Sequence, residues 1–316
     1  TEFWDYVERV ASGNATLYLV AHNIVFDLVI VDGFQALSGR GWKLESFYTR
    51  GQTSIFRWRR GRSKIIGLDN GNLFAGKLAD WGETVGLAKL SVDFATVGDA
   101  ELLVYCRRDV EITISLWSTW LSFLDDNRCG AFKPTVGSTA LSTWRHSYMR
   151  KPLYVHSDPL ALALERDAYK GGRTEVLYQG RAPQDHYYYL DVNSMYGYVL
   201  ARYLYPRGWV NTIGHGSINL LLRKLEQYAV VARVTVTVDE PWYPVKQDGF
   251  TCYPLGTFDT TLTTPELLLA LQRGWVDEVH EMAYYQQESL FASYIHDLYR
   301  LRSQYVQAGN AGYAAI

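Results

Sequence analysis

Y-Y-Y-L-D-V-N-S-M-Y-G-Y-V-L-A-R-Y-L-Y-P, residues 187–206, reads as a strand running directly into a helix. Tyr187 to Val192 is aromatic and β-branched apart from Asp191, a composition that predicts a buried strand. Asn193 and Ser194 are helix-capping residue types. Met195, Val199 and Leu200 recur at helical spacing, Tyr203 falls on the same side, and Pro206 ends the predicted helix. Asp191 is thus expected at the carboxyl end of a strand, beside the amino end of a helix. There a carboxylate, which attracts a hard divalent cation, stands next to unpaired backbone N–H groups, which attract phosphate oxygens. A metal-bound triphosphate satisfies both. The alternative is an ordinary strand-to-helix junction with Asn193 or Ser194 as its cap.

The surrounding chain sets bounds on that reading. It has 316 residues, a length that suggests about two domains. It is 48% apolar and rich in tyrosine and tryptophan, so it buries real cores and is not a disordered chain. No apolar run approaches the roughly 20 residues that span a bilayer, so no membrane association is expected. Three widely spaced cysteines, Cys106, Cys129 and Cys252, make neither a disulfide framework nor a metal knuckle. A reducing, intracellular setting follows. The net charge of −2 argues against a protein that merely coats nucleic acid, which would be basic. It leaves room for an enzyme with metal-binding carboxylates and locally grouped arginines. Thr1 is not an initiator methionine, and the expectation is a fragment.

Working outward toward the amino terminus, Thr16 to Ala21 reads as a buried strand and Phe26 to Leu37 as a helix. Asn23 lies at the strand end and Asp27 in the first helical turn. The helix dipole alone favours an acid there; a metal-ligating carboxylate is the functional alternative. Lys43–Tyr48, Thr53–Arg59 and Lys64–Leu68 are predicted strands of an antiparallel meander. Arg57, Arg59, Arg60, Arg62 and Lys64 form the densest basic cluster. Arg57 and Arg59 alternate with Phe56 and Trp58 and so share a face. A solvated hairpin is the preferred reading of that cluster over a phosphate-backbone contact. Asp99 to Leu124 is a predicted long helix. In it Tyr105 and Asp109 are four apart and so lie on one face, which suits a carboxylate that binds a cation and a phenol that orients water. A surface aspartate beside a packed tyrosine is the alternative.

Ser138–His146 and Pro159–Asp167 are predicted helices, the second capped by Ser157 or Asp158. Tyr169-Lys170-Gly171-Gly172-Arg173 then breaks the chain, and a strand starts at Thr174–Tyr178. The glycine pair lets backbone approach a ligand closely, with Arg173 available for phosphate; a plain helix-to-strand turn is the alternative. Beyond residue 206, Ile218–Gln227 is a predicted helix and Ala229–Val238 a strand with Arg233, Thr235 and Thr237 on one face. Thr263-Thr264-Pro265-Glu266 opens an N-capped helix that stops at Gly274. Gln287–Gln307 is a predicted long helix.

Five of these signatures occur together: N-x-x-F-D at 23–27, D-x-x-N-L-F at 69–74, Y-x3-D at 105–109, Y-x-G-G at 169–172 and D-x-N-S-x-Y at 191–196. In this order and spacing the chain resembles the family B DNA polymerases, most closely the protein-primed, organellar and viral branch. The resemblance implies an α/β and α+β chain, an RNase H-like 3′–5′ exonuclease domain followed by a partial palm. It places the exonuclease at 1–130, a linker with the Y-x-G-G signature at 131–180, and the partial palm at 181–316. It implies that Asp191 holds catalytic metal, that Ser194 and Met195 meet the triphosphate, and that Tyr196 packs under the incoming sugar. It implies that Asp27 and Asp109 hold metal for hydrolysis while Tyr105 orients water. Asn23 and Phe26, and Tyr169, Gly171, Gly172 and Arg173, are the implied DNA contacts. The implied cofactor is Mg2+ or Mn2+, two ions per active site.

The implied partners are a DNA template-primer and dNTPs, with a terminal protein as a candidate primer. The implied state is a monomer, in host cytoplasm, associated with a virus, or in an organelle. Two departures stand out. Gly197 occupies the usual place of a proline, and glycine inside a helix costs about 1 kcal/mol relative to alanine. Lys77 occupies the usual place of a serine or threonine. The first exonuclease signature, D-x-E, is expected upstream of Thr1, and the later K-x3-N-S-x-Y-G and D-T-D signatures beyond Ile316, so the fragment itself is expected to be inactive. A non-catalytic nucleic-acid- or protein-binding module of the same fold, or an exonuclease without synthesis, are the competing readings.

Overall fold

The computed structural model describes residues 2–176, 178–181, 186–247 and 249–315. Contacts divide it into two units, Thr1–Arg150 with His296–Ile316, and Lys151–Ile295. The stretch expected as a linker, 131–180, is shared between them, with the division at Arg150.

The first unit opens with α1 (Glu2–Val10), β1 (Thr16–Ala21), α2 (Ile24–Ile30) and α3 (Gly33–Gly39). It continues through β2 (Lys43–Arg50), β3 (Thr53–Arg60) and β4 (Ser63–Asp69) to α4 (Leu78–Thr84), the long α5 (Asp99–Asp126) and α6 (Val136–Thr143). The strand order is β1-β4-β3-β2. β2, β3 and β4 form the expected antiparallel meander, and β1 runs parallel to β4, with Leu19 opposite Gly67. Period-two alternation builds this sheet: Phe56 and Trp58 are completely buried while Arg57 faces out. Trp4 and Val7 of α1 and Leu28 of α2 pack on the same core. α5 buries Ile112, Leu116 and Trp120, a four-residue repeat that marks one helical face. The helix expected over 26–37 is two helices, because Asp32 turns the chain with a left-handed φ of 51°.

In the second unit, α7 (Pro159–Ala168) starts at Asp158, whose carboxylate accepts from the Ala161 N–H at 2.8 Å. α8 (Met195–Arg202), β5 (Tyr205–Ile213), α9 (Ile218–Leu225), β6 (Ala229–Val238), β7 (Val245–Gln247), β8 (Phe250–Cys252), β9 (Gly256–Thr263), α10 (Thr264–Arg273) and β10 (Val276–Glu288) follow. α11 (Ala292–Gln307) and α12 (Ala311–Ala315) close the chain, and from His296 onward they group with the first unit. The main sheet has the order β5-β10-β6-β9, all neighbours antiparallel. β6 is apolar on both sides at its start because it is covered twice. Val230, Ala232 and Val234 share a core with Leu221 of α9 and Leu267 of α10, while Ala229 and Val231 pack with Ala161 and Leu164 of α7. Thr263 and Glu266 form a capping box at the start of α10, and Gly274 ends that helix with φ 70°.

Three expectations are corrected here. The helix expected from Gln287 begins at Ala292, since β10 runs to Glu288. Residues 187–192, expected as a buried strand, join no sheet among the described residues, and Tyr188 and Tyr189 are 92% and 95% exposed. β propensity needs a ladder partner, and the neighbours in the main sheet are other strands. The strand expected at 174–178 is not formed at its described positions; Leu177 lies outside the described residues. Among the described residues, no helix is long and apolar enough to cross a membrane.

Candidate active site

Asp27 and Asp109, far apart in sequence, line one cleft of about 990 Å³ in the first unit. The cleft also takes in His22, Lys77, Lys89, Cys106 and Thr113, and an apolar end made by Tyr18, Ile114, Trp117 and Phe132. The end of β1 and the residue after it line the cleft through Val20, Ala21 and His22. β1 ends at Ala21, and two residues on, Asn23, with a left-handed φ of 72°, turns the chain into α2 without a side-chain cap. The cap comes instead from the end of β4: Asp69 Oδ2 accepts from the Ile24 N–H at 2.8 Å, and Oδ1 from the Gly71 N–H at 2.7 Å. Gly67 lets α2 lie close to the sheet, because a Cβ there would stand 3.0 Å from Ile24 Cδ1. Asp27 follows one turn into α2.

The 69–74 segment is an anchor as well as a cap. Asn72, buried, accepts from the Ser54 N–H at 2.8 Å and donates to the Ser54 carbonyl at 3.0 Å. Asn70 Oδ1 accepts from Trp117 Nε1 at 2.7 Å, which ties the segment to α5. α5 in turn presents Asp109. Lys89 donates to both oxygens of that carboxylate, and its ammonium lies 4.3 Å from the centre of the Tyr105 ring. Arg108 fixes the backbone beside Lys89 by donating to the Ala88 carbonyl at 3.0 Å. Tyr105 also packs edge-on against Phe94 at 5.6 Å.

The electrostatics differ between the two carboxylates. Burial, then the Asp69 charge, raise Asp27 above the ordinary carboxylate range, with His22 opposing. Partial burial pulls Lys89 down, yet hydrogen bonds to Asp109 and Tyr105 and their charges outweigh it and leave the ammonium above its ordinary value. His22 Nδ1 is buried with no hydrogen-bond partner. Hard carboxylate oxygens are the right donors for one magnesium-class cation, which takes one or two carboxylates with the rest from substrate and water. The expected two ions need more: among the described residues no group of three or more His, Cys, Asp or Glu converges here or at Asp191.

In the second unit Asp191 is exposed in the extended stretch before α8. Ser194 adopts a left-handed φ of 56° and caps α8 by backbone geometry alone, so the expected side-chain cap is absent. Met195 and Tyr196 are exposed on its first turn, and α8 buries none of its side chains. The 169–173 loop follows α7 with the Tyr169 ring 82% exposed. Arg173, expected to be available for phosphate, donates to the Pro241 carbonyl at 2.7 Å, pairs with Glu175 at 2.7 Å and lies 4.5 Å from the Tyr253 ring centre. Gly171 and Gly172 have nothing within 4 Å of an added Cβ. In the basic hairpin, Arg59 pairs with Glu45, and Arg60 bridges Glu8 and the Arg40 carbonyl, in keeping with a solvated structural hairpin.

The family model for DNA polymerase type B, organellar and viral, matches residues 97–316. The chain belongs to that family. A probable DNA polymerase of Neurospora intermedia is 25% identical over 223 residues, which are 64% of this chain and 22% of that protein. Phi29 DNA polymerase complexed with primer-template DNA aligns with a TM-score of 0.64 at 16% identity, over 99% of this chain and 60% of that one. Its orthorhombic crystal form gives a TM-score of 0.65 at 16% identity, over 98% and 60%. The family chain here thus spans under two thirds of each of these relatives. The likeness shows the fold, a mixed α/β chain that aligns with phi29 DNA polymerase over nearly its whole length.

Sequence reasoning passed over two residues of this family member's cleft. Lys89 sits in a connection with no periodicity and no signature of its own. His22 carried one usable signal, its place between a strand end and Asn23.

Proposed function

We propose that the protein is a DNA-directed DNA polymerase with a 3′–5′ proofreading exonuclease, the first unit carrying the hydrolytic site and the second the start of the polymerising site. The convergence of Asp27 and Asp109 on one cleft carries this reading, because a hydrolytic site needs carboxylates brought together from distant parts of the chain. Asp27 and Asp109 hold Mg2+ or Mn2+, which supplies Lewis-acid polarisation of the phosphodiester. Lys89 orients Asp109 and places a positive charge beside the incoming phosphate. Tyr105, held by Lys89 and Phe94, orients the attacking water. Asn23 and Phe26 hold the 3′ end of a single strand at the rim, Phe26 offering an exposed ring on which a base stacks. In the second unit Asp191 serves the polymerising site, Ser194 and Met195 meet the triphosphate, and Tyr196 packs under the sugar. The open space over Gly171 and Gly172 supports a close approach of nucleic-acid backbone, since nothing within the chain requires glycine at either position.

Template-primer DNA and dNTPs are the proposed partners, a terminal protein is the proposed primer, and the protein acts inside the cell as a monomer. A binding module of the same fold is the second reading, favoured by the lack of a third convergent carboxylate among the described residues. Nucleotide incorporation by the purified full-length protein separates the two. Asp191→Ala is expected to abolish incorporation and leave 3′ hydrolysis intact; incorporation that survives the substitution removes the role given to Asp191.

A further inference from the structure

We propose that Lys246 is a positioning residue that clamps the 169–173 loop in the shape that meets nucleic acid. The inference rests on the reading of that loop given above. Between the end of α7 and residue 176 the chain has no regular structure. Its glycine pair is exposed and has open space where a Cβ would stand, so the loop would lose much backbone entropy on adopting one shape. Two cations supply the restraint. Lys246 Nζ, on β7, donates to the Tyr169 carbonyl at 2.9 Å across 77 residues of sequence. Arg173 reaches the other way, to the Pro241 carbonyl at 2.7 Å and over the Tyr253 ring. All three anchors, Pro241, Lys246 and Tyr253, belong to the short segment that carries β7 and β8. The two ends of the loop are therefore tied to one hairpin, while its glycines and the Tyr169 ring are left facing outward. Lys246 acts on the loop backbone and not on a phosphate. That distinction has a thermodynamic signature, because each neutralised phosphate contributes about one unit to the slope of log affinity against log salt.

The test uses the whole chain and four proteins: wild type, Lys246→Met, Lys246→Arg and Tyr169→Ala. Amide hydrogen exchange is read in a peptide covering 170–176. Binding to a fluorescently labelled primer-template duplex is read by anisotropy at several salt concentrations. Losing one charge-assisted hydrogen bond should speed loop exchange and weaken duplex binding by roughly two- to tenfold in Lys246→Met. The salt slope should stay that of wild type, and Lys246→Arg should restore both readouts. Unchanged exchange in Lys246→Met overturns the clamp. A salt slope smaller by about one overturns it too, by making Lys246 a direct phosphate contact. Duplex binding unaffected by Tyr169→Ala, or absent in wild type, overturns the underlying reading of the loop, while the exchange result still decides the clamp.

Discussion

Replacing Lys89 by methionine removes an ammonium and keeps most of the stem. The two partners are 23% and 27% exposed, between a surface pair and a buried one. Exposed pairs contribute about 0–1 kcal/mol, and breaking a fully buried one costs about 3–5 kcal/mol. Here an intermediate loss of about 1–2 kcal/mol is expected, including the contact with the Tyr105 ring. The pH sign follows from the raised Lys89 value. A lysine raised in the fold stabilises it fully below the unfolded value, taken as 10.5, and loses that contribution as pH rises through the folded value. The deficit of Lys89→Met relative to wild type should therefore be present at neutral pH and shrink in strong alkali. Urea unfolding of Lys89→Met, Asp109→Asn and the double variant closes a thermodynamic cycle. Coupling of about 1–2 kcal/mol at neutral pH is expected for residues in direct contact. Additive effects of the two substitutions would refute the pairing and with it the orientation of Asp109.

Two further outcomes follow in the same unit. Asn72→Ala leaves the Ser54 N–H and carbonyl buried without their partner, and should cost about 2–4 kcal/mol, read as a fall in the urea midpoint at unchanged slope. Asp27→Asn should stabilise the fold at neutral pH. Burial raises the folded value of Asp27, so its ionisation opposes folding once pH passes above the unfolded value of 3.8, and a pH series of melting temperatures should show the gain vanish in acid.

The parts that were legible in the sequence are those where a local pattern and the tertiary fold agree. Phe56 and Trp58 alternate with Arg57 and Arg59, so β3 and its meander could be read directly. Asp158 with Pro159, and Thr263 with Glu266, announced two helices by capping chemistry. β10 escaped because its register slips between Val276 and Glu278 and again between Val279 and Glu281, which destroys the period of two in the chain. Residues 187–192 misled in the opposite sense: their composition suits a strand, but a strand exists only against a neighbour. Asp32 broke a helix whose apolar spacing ran on past it, because one left-handed residue outweighs a periodicity. The candidate site and its surroundings were half legible. Asn23, Asp27, Tyr105 and Asp109 stood in recognisable signatures, whereas Lys89 acquires its role only when the connection after α4 is tied to α5 by Arg108. Asp69 and Asn72 matched a signature whose physical purpose, capping α2 and pinning β3, appears only in three dimensions.

The central claim is that Asp27 and Asp109 together form a hydrolytic site. Release of nucleotides from the 3′ end of a 5′-labelled single strand, in magnesium, with the full-length wild-type protein and its Asp27→Ala and Asp109→Ala variants, tests it most directly. Stepwise shortening by wild type and its loss in both variants is the predicted result. Shortening that persists in either variant, or a wild-type protein that binds the strand and leaves it intact, would contradict the account.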